Sequence, residues 1–191
     1  MFKKRSILLL ILSLNLISYC ASFRENNISM VKDSDYKANK AEKIKVFRKW
    51  KYQSNGPDAI PRADFHKSWF DKAMVDSGCC IIVEKPTEAT LVVDGIAANH
   101  IHPMRDFFNL LSVATATVLP YWATTNVDIQ VTVMKGNKKH EYKLKDSFTM
   151  VQWLPMIFVF PFTGTPIKNR DELYLNTYQE LVVQMKKDGV I

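Results

Sequence analysis

Val127, Ile129, Val131 and Val133 alternate with Asp128, Gln130 and Thr132, the period-two pattern of a strand with one wet face. Lys135 to Lys139, with Gly136 and Asn137 at its centre, predicts the turn of an antiparallel hairpin into a strand carrying Tyr142 and Leu144 between charged residues. Phe65, Trp69, Phe70, Ala73 and Met74 recur at helical spacing, predicting a helix over 64–77 that Gly78 ends. Tyr174, Tyr178, Leu181, Val182 and Met185 predict a second helix over 170–187, with Asn169 as N-cap, Glu172 completing a capping box and Gly189 beyond the end. Three more strands are expected at 44–52, 79–84 and 89–98. The lysines and the arginine of the first suggest an edge position or an exposed face.

The assembled order predicts an α+β two-layer sandwich: a mixed four- to five-stranded sheet, two main helices and two apolar inserted segments. Those segments, Phe107–Trp122 and Phe148–Thr165, carry no charge. Each is too short for a comfortable helical span, and Pro155 and Pro161 break the second. Three fates are open to them: core, an amphipathic patch in the interfacial layer of a membrane, or contact with a partner or second copy. In the latter two, Tyr121, Trp122, Trp153, Phe158 and Phe160 are the candidate contact residues, because amphipathic and aromatic rings favour that layer.

The N-terminus has a different grammar. Basic Lys3-Lys4-Arg5 precedes an apolar run from Ile7 to Leu16, which is the layout of a secretion signal. The residues that follow, Ile17-Ser18-Tyr19-Cys20, resemble a lipobox, although Tyr19 stands where a small residue is usual. The resemblance implies that residues 1–19 are a signal peptide and that Cys20 is lipidated. A plain signal peptide or an uncleaved anchor is the alternative. Residues 21–43 are polar and mixed in charge, so 20–43 is expected to be a lipidated cysteine on a flexible tether, leaving 44–191 as one domain. With no Asp after the cysteine, Ala21 and Ser22 imply, by analogy with lipoprotein sorting, an outer-membrane address facing periplasm or cell surface.

Composition narrows function mostly by exclusion. The formal charge of +7 falls to +4 once Lys3, Lys4 and Arg5 leave with the leader, and the remaining lysines are scattered among acids, so no nucleic acid partner is expected. Cys79 and Cys80 are adjacent, which on a strand sends them to opposite faces, and two buried thiols are expected rather than a disulfide or metal pair. His100 and His102 share a strand face as a possible metal pair, but no third ligand follows at an informative spacing, so no metal and no cofactor is expected. Neither a nucleophile elbow nor a glycine-rich phosphate loop is present.

A further resemblance rests on the helix ending in Ser77-Gly78, the strand after it, and Glu88-Ala89-Thr90-Leu91-Val92-Val93-Asp94-Gly95. This stretch, about residues 65–98, resembles small periplasmic lipoproteins of the curli-secretion and peptidoglycan-synthase-activator type, which implies an open α/β sandwich and carries over no functional residue. The expectation is a non-enzymatic, lipid-anchored envelope protein acting through membrane and protein binding or self-association. The alternative is a surface-exposed adhesin or ligand-binding lipoprotein.

Overall fold

The computed structural model describes residues 20–38, 42–53, 59–100, 104–163 and 166–191. The leader and His102 lie outside the described residues, as do the side chains of Cys20, His100 and Phe160. The chain is α+β, with a six-stranded mixed sheet in the order β1-β6-β5-β4-β2-β3. Its strands are β1 (Cys20–Arg24), β2 (Ile44–Gln53), β3 (Cys80–Ile82), β4 (Leu91–His100), β5 (Tyr121–Lys135) and β6 (Lys138–Gln152). The helices are α1 (Asp33–Tyr36), α2 (Ala59–Asp76), α3 (Arg105–Ala114), α4 (Phe160–Thr163) and α5 (Pro166–Lys187). Two compact units divide the chain: unit 1 holds residues 1–25, 101–125 and 148–171, and unit 2 holds 26–100, 126–147 and 172–191.

Unit 2 carries the apolar core. β2 runs parallel to β3 and β4, and β4 pairs antiparallel with β5. Alternation sends Val46, Leu91, Val93, Ile129 and Val133 to one face of the sheet, all buried. Against that face α2 lays His66, Phe70, Ala73 and Met74, one stripe at helical spacing, and α5 lays Tyr178, Leu181 and Met185. The Trp50 ring joins the two helices, meeting Phe70 at 5.6 Å and the edge of Tyr178 at 5.4 Å. It fits because Gly95 sits opposite: a Cβ there would lie 2.6 Å from the indole. Gly78 closes α2 at φ +76, as its placement in the sequence predicts.

Several expectations need correction. The sheet gains a sixth strand because the stretch expected as a tether folds: β1 pairs antiparallel with the end of β6, and Ala21 and Ser22 are buried. Farther along, Tyr36 is 2% exposed and donates its hydroxyl to the Ala73 carbonyl, while Asn176 accepts from the Val31 amide and donates to the Ser29 carbonyl. These side-chain bonds supply what a polar segment lacks in apolar area. β2 is flanked by β3 and β4, so its lysines mark an exposed face and not an edge. Cys79 and Cys80 are joined as a disulfide, both buried, where two thiols were expected. Asn169 does not cap α5, which starts at Pro166, a residue whose missing amide suits a first turn. Asn169 instead donates to the Ser22 carbonyl, the Ser22 hydroxyl and the Thr163 carbonyl.

Candidate functional site

Unit 1 is assembled by backbone hydrogen bonds more than by a core. Cys20 stands in register with Gln152 and Arg24 with Phe148. After α3 the chain reverses through Ala116 and Thr117, both left-handed at φ 51° and 61°, a conformation that L side chains resist. The reversal is held at both ends: the Thr117 amide donates to the Ser112 carbonyl, the Ser112 hydroxyl to the Leu119 carbonyl, and the Leu154 amide to the Thr117 carbonyl, each at 2.8–2.9 Å. The last of these bonds ties the two apolar segments together.

The tie leaves their side chains outward. Of the described positions in α3, Ser112 alone is buried, at 1% exposure, whereas Leu110 is 67% exposed and its neighbours Phe107, Phe108 and Val113 about half. An ordinary surface helix does the reverse. Trp122 is 67% exposed, Phe158 79% and Phe162 87%, with Trp153 at 37%. All but four of the exposed large apolar side chains among the described residues belong to this unit, the exceptions being Met30, Val75, Ile81 and Met134. Large apolar side chains left in water in such number are the kind that mark an interaction or membrane surface where they adjoin.

Of the sequence-predicted contact residues, Trp122, Trp153 and Phe158 are exposed within unit 1. Tyr121 is not: it is 4% exposed and its hydroxyl has no partner among the described residues, because alternation along β5 turns it away from Trp122. The core reading of the two segments fails for these outward positions. Both stretches between Asp106 and Lys168 that belong to unit 1 lack any charged residue. No helix among the described residues is long and apolar enough to cross a membrane.

One described histidine belongs to the core of unit 2. His66, 1% exposed, shares a hydrogen bond of 2.8 Å between its Nδ1 and the Tyr178 hydroxyl. Burial, with Arg62 nearby, pushes its pKa down to about 4, so it sits neutral in the core. No group of three potential metal ligands is found among the described residues. Sequence reasoning missed the register of β1 against β6, which sets the backbone of Cys20 beside Gln152, one residue before Trp153. No periodic signal in five residues could have found it.

No protein-family model matches the chain, and no curated protein sequence does either. Among solved structures the chain is similar to the PelC dodecamer from Paraburkholderia phytofirmans, at 8% identity and a TM-score of 0.38 over 86% of this chain and 95% of that one. It is similar also to a leucine-to-methionine variant of that dodecamer, at 9% identity and a TM-score of 0.41 over 86% of this chain and 98% of that one.

Proposed function

We propose that the chain is a lipid-anchored envelope protein without a catalytic role, held at the outer membrane by acyl chains on Cys20 and seated on the bilayer through the exposed aromatic residues of unit 1. One observation carries the reading: the strand that begins at Cys20 belongs to the same unit as Trp122, Trp153, Phe158 and Phe162 and pairs with the strand that ends just before Trp153. A lipid on Cys20 would therefore leave the protein at the surface it otherwise exposes to water. Two acyl chains on Cys20 would hold the chain at a bilayer by themselves, and shallow burial of aromatic side chains would add to that attachment and seat unit 1 against the surface. Trp and Phe without charged neighbours suit that layer. Unit 2, on this reading a two-layer sandwich, buries most of its large apolar residues in its own core and serves as the accessory or scaffold part that meets other proteins.

Flotation of the full chain with phosphatidylcholine vesicles tests this reading. The wild-type protein is expected to float, and Trp122→Ser/Phe158→Ser/Phe162→Ser combined with Cys20→Ser to remain in the dense fraction. Equal flotation of the two would sink the proposal. Mass spectrometry of the natural N-terminus is expected to find diacylglycerol on Cys20.

A further inference from the structure

The second face of the sheet in unit 2 is the one turned away from α2 and α5. Alternation assigns Lys45, Phe47, Lys49, Lys51 and Gln53 of β2 to it, since Val46, Arg48, Trp50 and Tyr52 point to the helices. The register sets Phe47 beside Val92 and Met134, Lys49 beside Asp94 and Thr132, and Lys51 beside Ile96 and Gln130. β6 adds Glu141, Lys143 and Lys145. All of these side chains are exposed or half-exposed, so the face is bare.

Its charges are arranged in rows. β2 and β6 carry the lysines, and the strands between them, β4 and β5, carry mostly short or apolar side chains: Val92, Ile96, Ala98, Thr132. Three strand spacings separate the rows, roughly 14 Å. The floor between them is concave, with a volume of about 370 Å³ bordered by Gln53, Ile96, Ala98, Gln130, Lys143 and Lys145, and with the Asp128 carboxylate at its edge beside Lys145. Asp128 lies 3.8 Å from Lys145, Asp94 sits in register with Lys49, and Glu141, two residues from Lys143 on the same face of β6, attracts it, so three lysines have local countercharge. Lys45 and Lys51 have no salt bridge among the described residues. An α-helix with its side chains is about 10–12 Å across, which fits such a trough.

We propose that this face docks an acidic amphipathic helix of a partner protein, its apolar stripe on Val92, Ile96, Ala98 and Met134 and its carboxylates toward the lysine rows of β2 and β6. The floor selects against a purely ionic ligand, because an extended polyanion would leave the aliphatic side chains wet. Charge selects against this chain's own α3, which has no acidic residue after Asp106. The proposal is independent of any membrane seat of unit 1.

Fluorescence anisotropy on the full chain in detergent tests it. The probe is a labelled peptide of about 18 residues, roughly 27 Å as a helix, with leucines every third or fourth position and glutamates on both flanks. Controls are its scrambled sequence, polyglutamate and phosphatidylglycerol vesicles. The helical peptide is expected to bind at least about tenfold tighter than the scramble or polyglutamate, a difference of about 1.4 kcal/mol. Lys51→Glu/Lys143→Glu should lower its affinity by about tenfold or more, Ile96→Ser by about fivefold, and Lys138→Glu at the hairpin turn hardly at all. Lys51→Gln/Lys143→Gln provides a milder pair should the charge reversals impair folding. No peptide binding, equal binding of scramble and helix, binding of vesicles alone, or a self-association lost in the same double variant would each overturn the proposal.

Discussion

Unit 2 and unit 1 treat the same kinds of residue in opposite ways. In unit 2, helices α2 and α5 turn Phe70, Met74, Leu181 and Met185 inward and leave their charges out. In unit 1, helix α3 turns a serine inward and leaves leucine and phenylalanine out. The difference lies in what each sequence has available to hide behind. Where polar positions alternate with apolar ones, a helix or strand has a wet side, and burial of the other follows. Where a stretch is apolar all round, some of it must face outward unless other protein covers it, and the small unit 1 has too little interior to do so. Apolar composition thus identifies a surface in one part of the molecule and a core in another.

The sharpest way to break this contrast is truncation. Phe70→Ala removes a ring at 0% exposure that packs on Trp50 and Tyr178, and is expected to cost about 3–5 kcal/mol in chemical denaturation. Phe158→Ala removes the same ring from unit 1 and should change stability in water by less than about 0.5 kcal/mol. Similar losses from both would mean that Phe158 is packed, and the contrast would fail.

A second effect belongs to unit 2 alone. His66 keeps a pKa of about 4 when folded against an ordinary value of 6.5, so the unfolded chain binds a proton that the folded one refuses. The stability tied to its neutral form is complete above pH 6.5 and is lost as pH falls toward 4, about 3 kcal/mol in all. Urea midpoints measured across that window should decline and level off below it, and His66→Gln should flatten this part of the profile. An unchanged slope in the variant would assign the decline to carboxylates. Arg48 gives a smaller, sharper test. Burial opposes its charge, yet hydrogen bonds to Asp71 and Glu84 outweigh that and raise its pKa. Asp71→Asn leaves the buried guanidinium with the exposed Glu84 alone and is expected to cost about 2 kcal/mol, below the full penalty of a buried pair because Asp71 is partly wet. Arg48→Met should cost less than Asp71→Asn.

What the sequence disclosed follows the same division. The β5–β6 hairpin, α2 and α5 were legible because each is local and periodic, so composition and fold agree within a dozen residues. β1 was not: Cys20–Arg24 becomes a strand only by pairing with residues almost 130 positions away, and its own five residues say nothing of that. The buried Tyr36 depends likewise on Ala73, and Val31 on Asn176. In the candidate site, the absence of charge marked Trp122, Trp153 and Phe158 as a group, but periodicity reports which residues share a face, not whether that face meets water. Tyr121 shows the cost: adjacent to Trp122 and chemically similar, it points the other way. The lysines of β2 were visible too, and only the register with β4 and β5 shows what lies between them and β6.

The smallest expected effect on stability is the most instructive. On α3, Leu110→Ser exposes nothing new, because the leucine is already 67% exposed, and the folded protein should lose less than about 0.5 kcal/mol in vesicle-free solution. Ser112→Leu makes the same helix more apolar, which composition alone would rate as stabilising. Ser112 is buried, though, and its hydroxyl donates at 2.8 Å to the Leu119 carbonyl. A leucine there removes that donor and adds volume where the helix is seated, at about 1–3 kcal/mol. If thermal melts show Leu110→Ser to be the costlier of the two, then α3 packs the other way round and the outward face assigned to unit 1 is its interior.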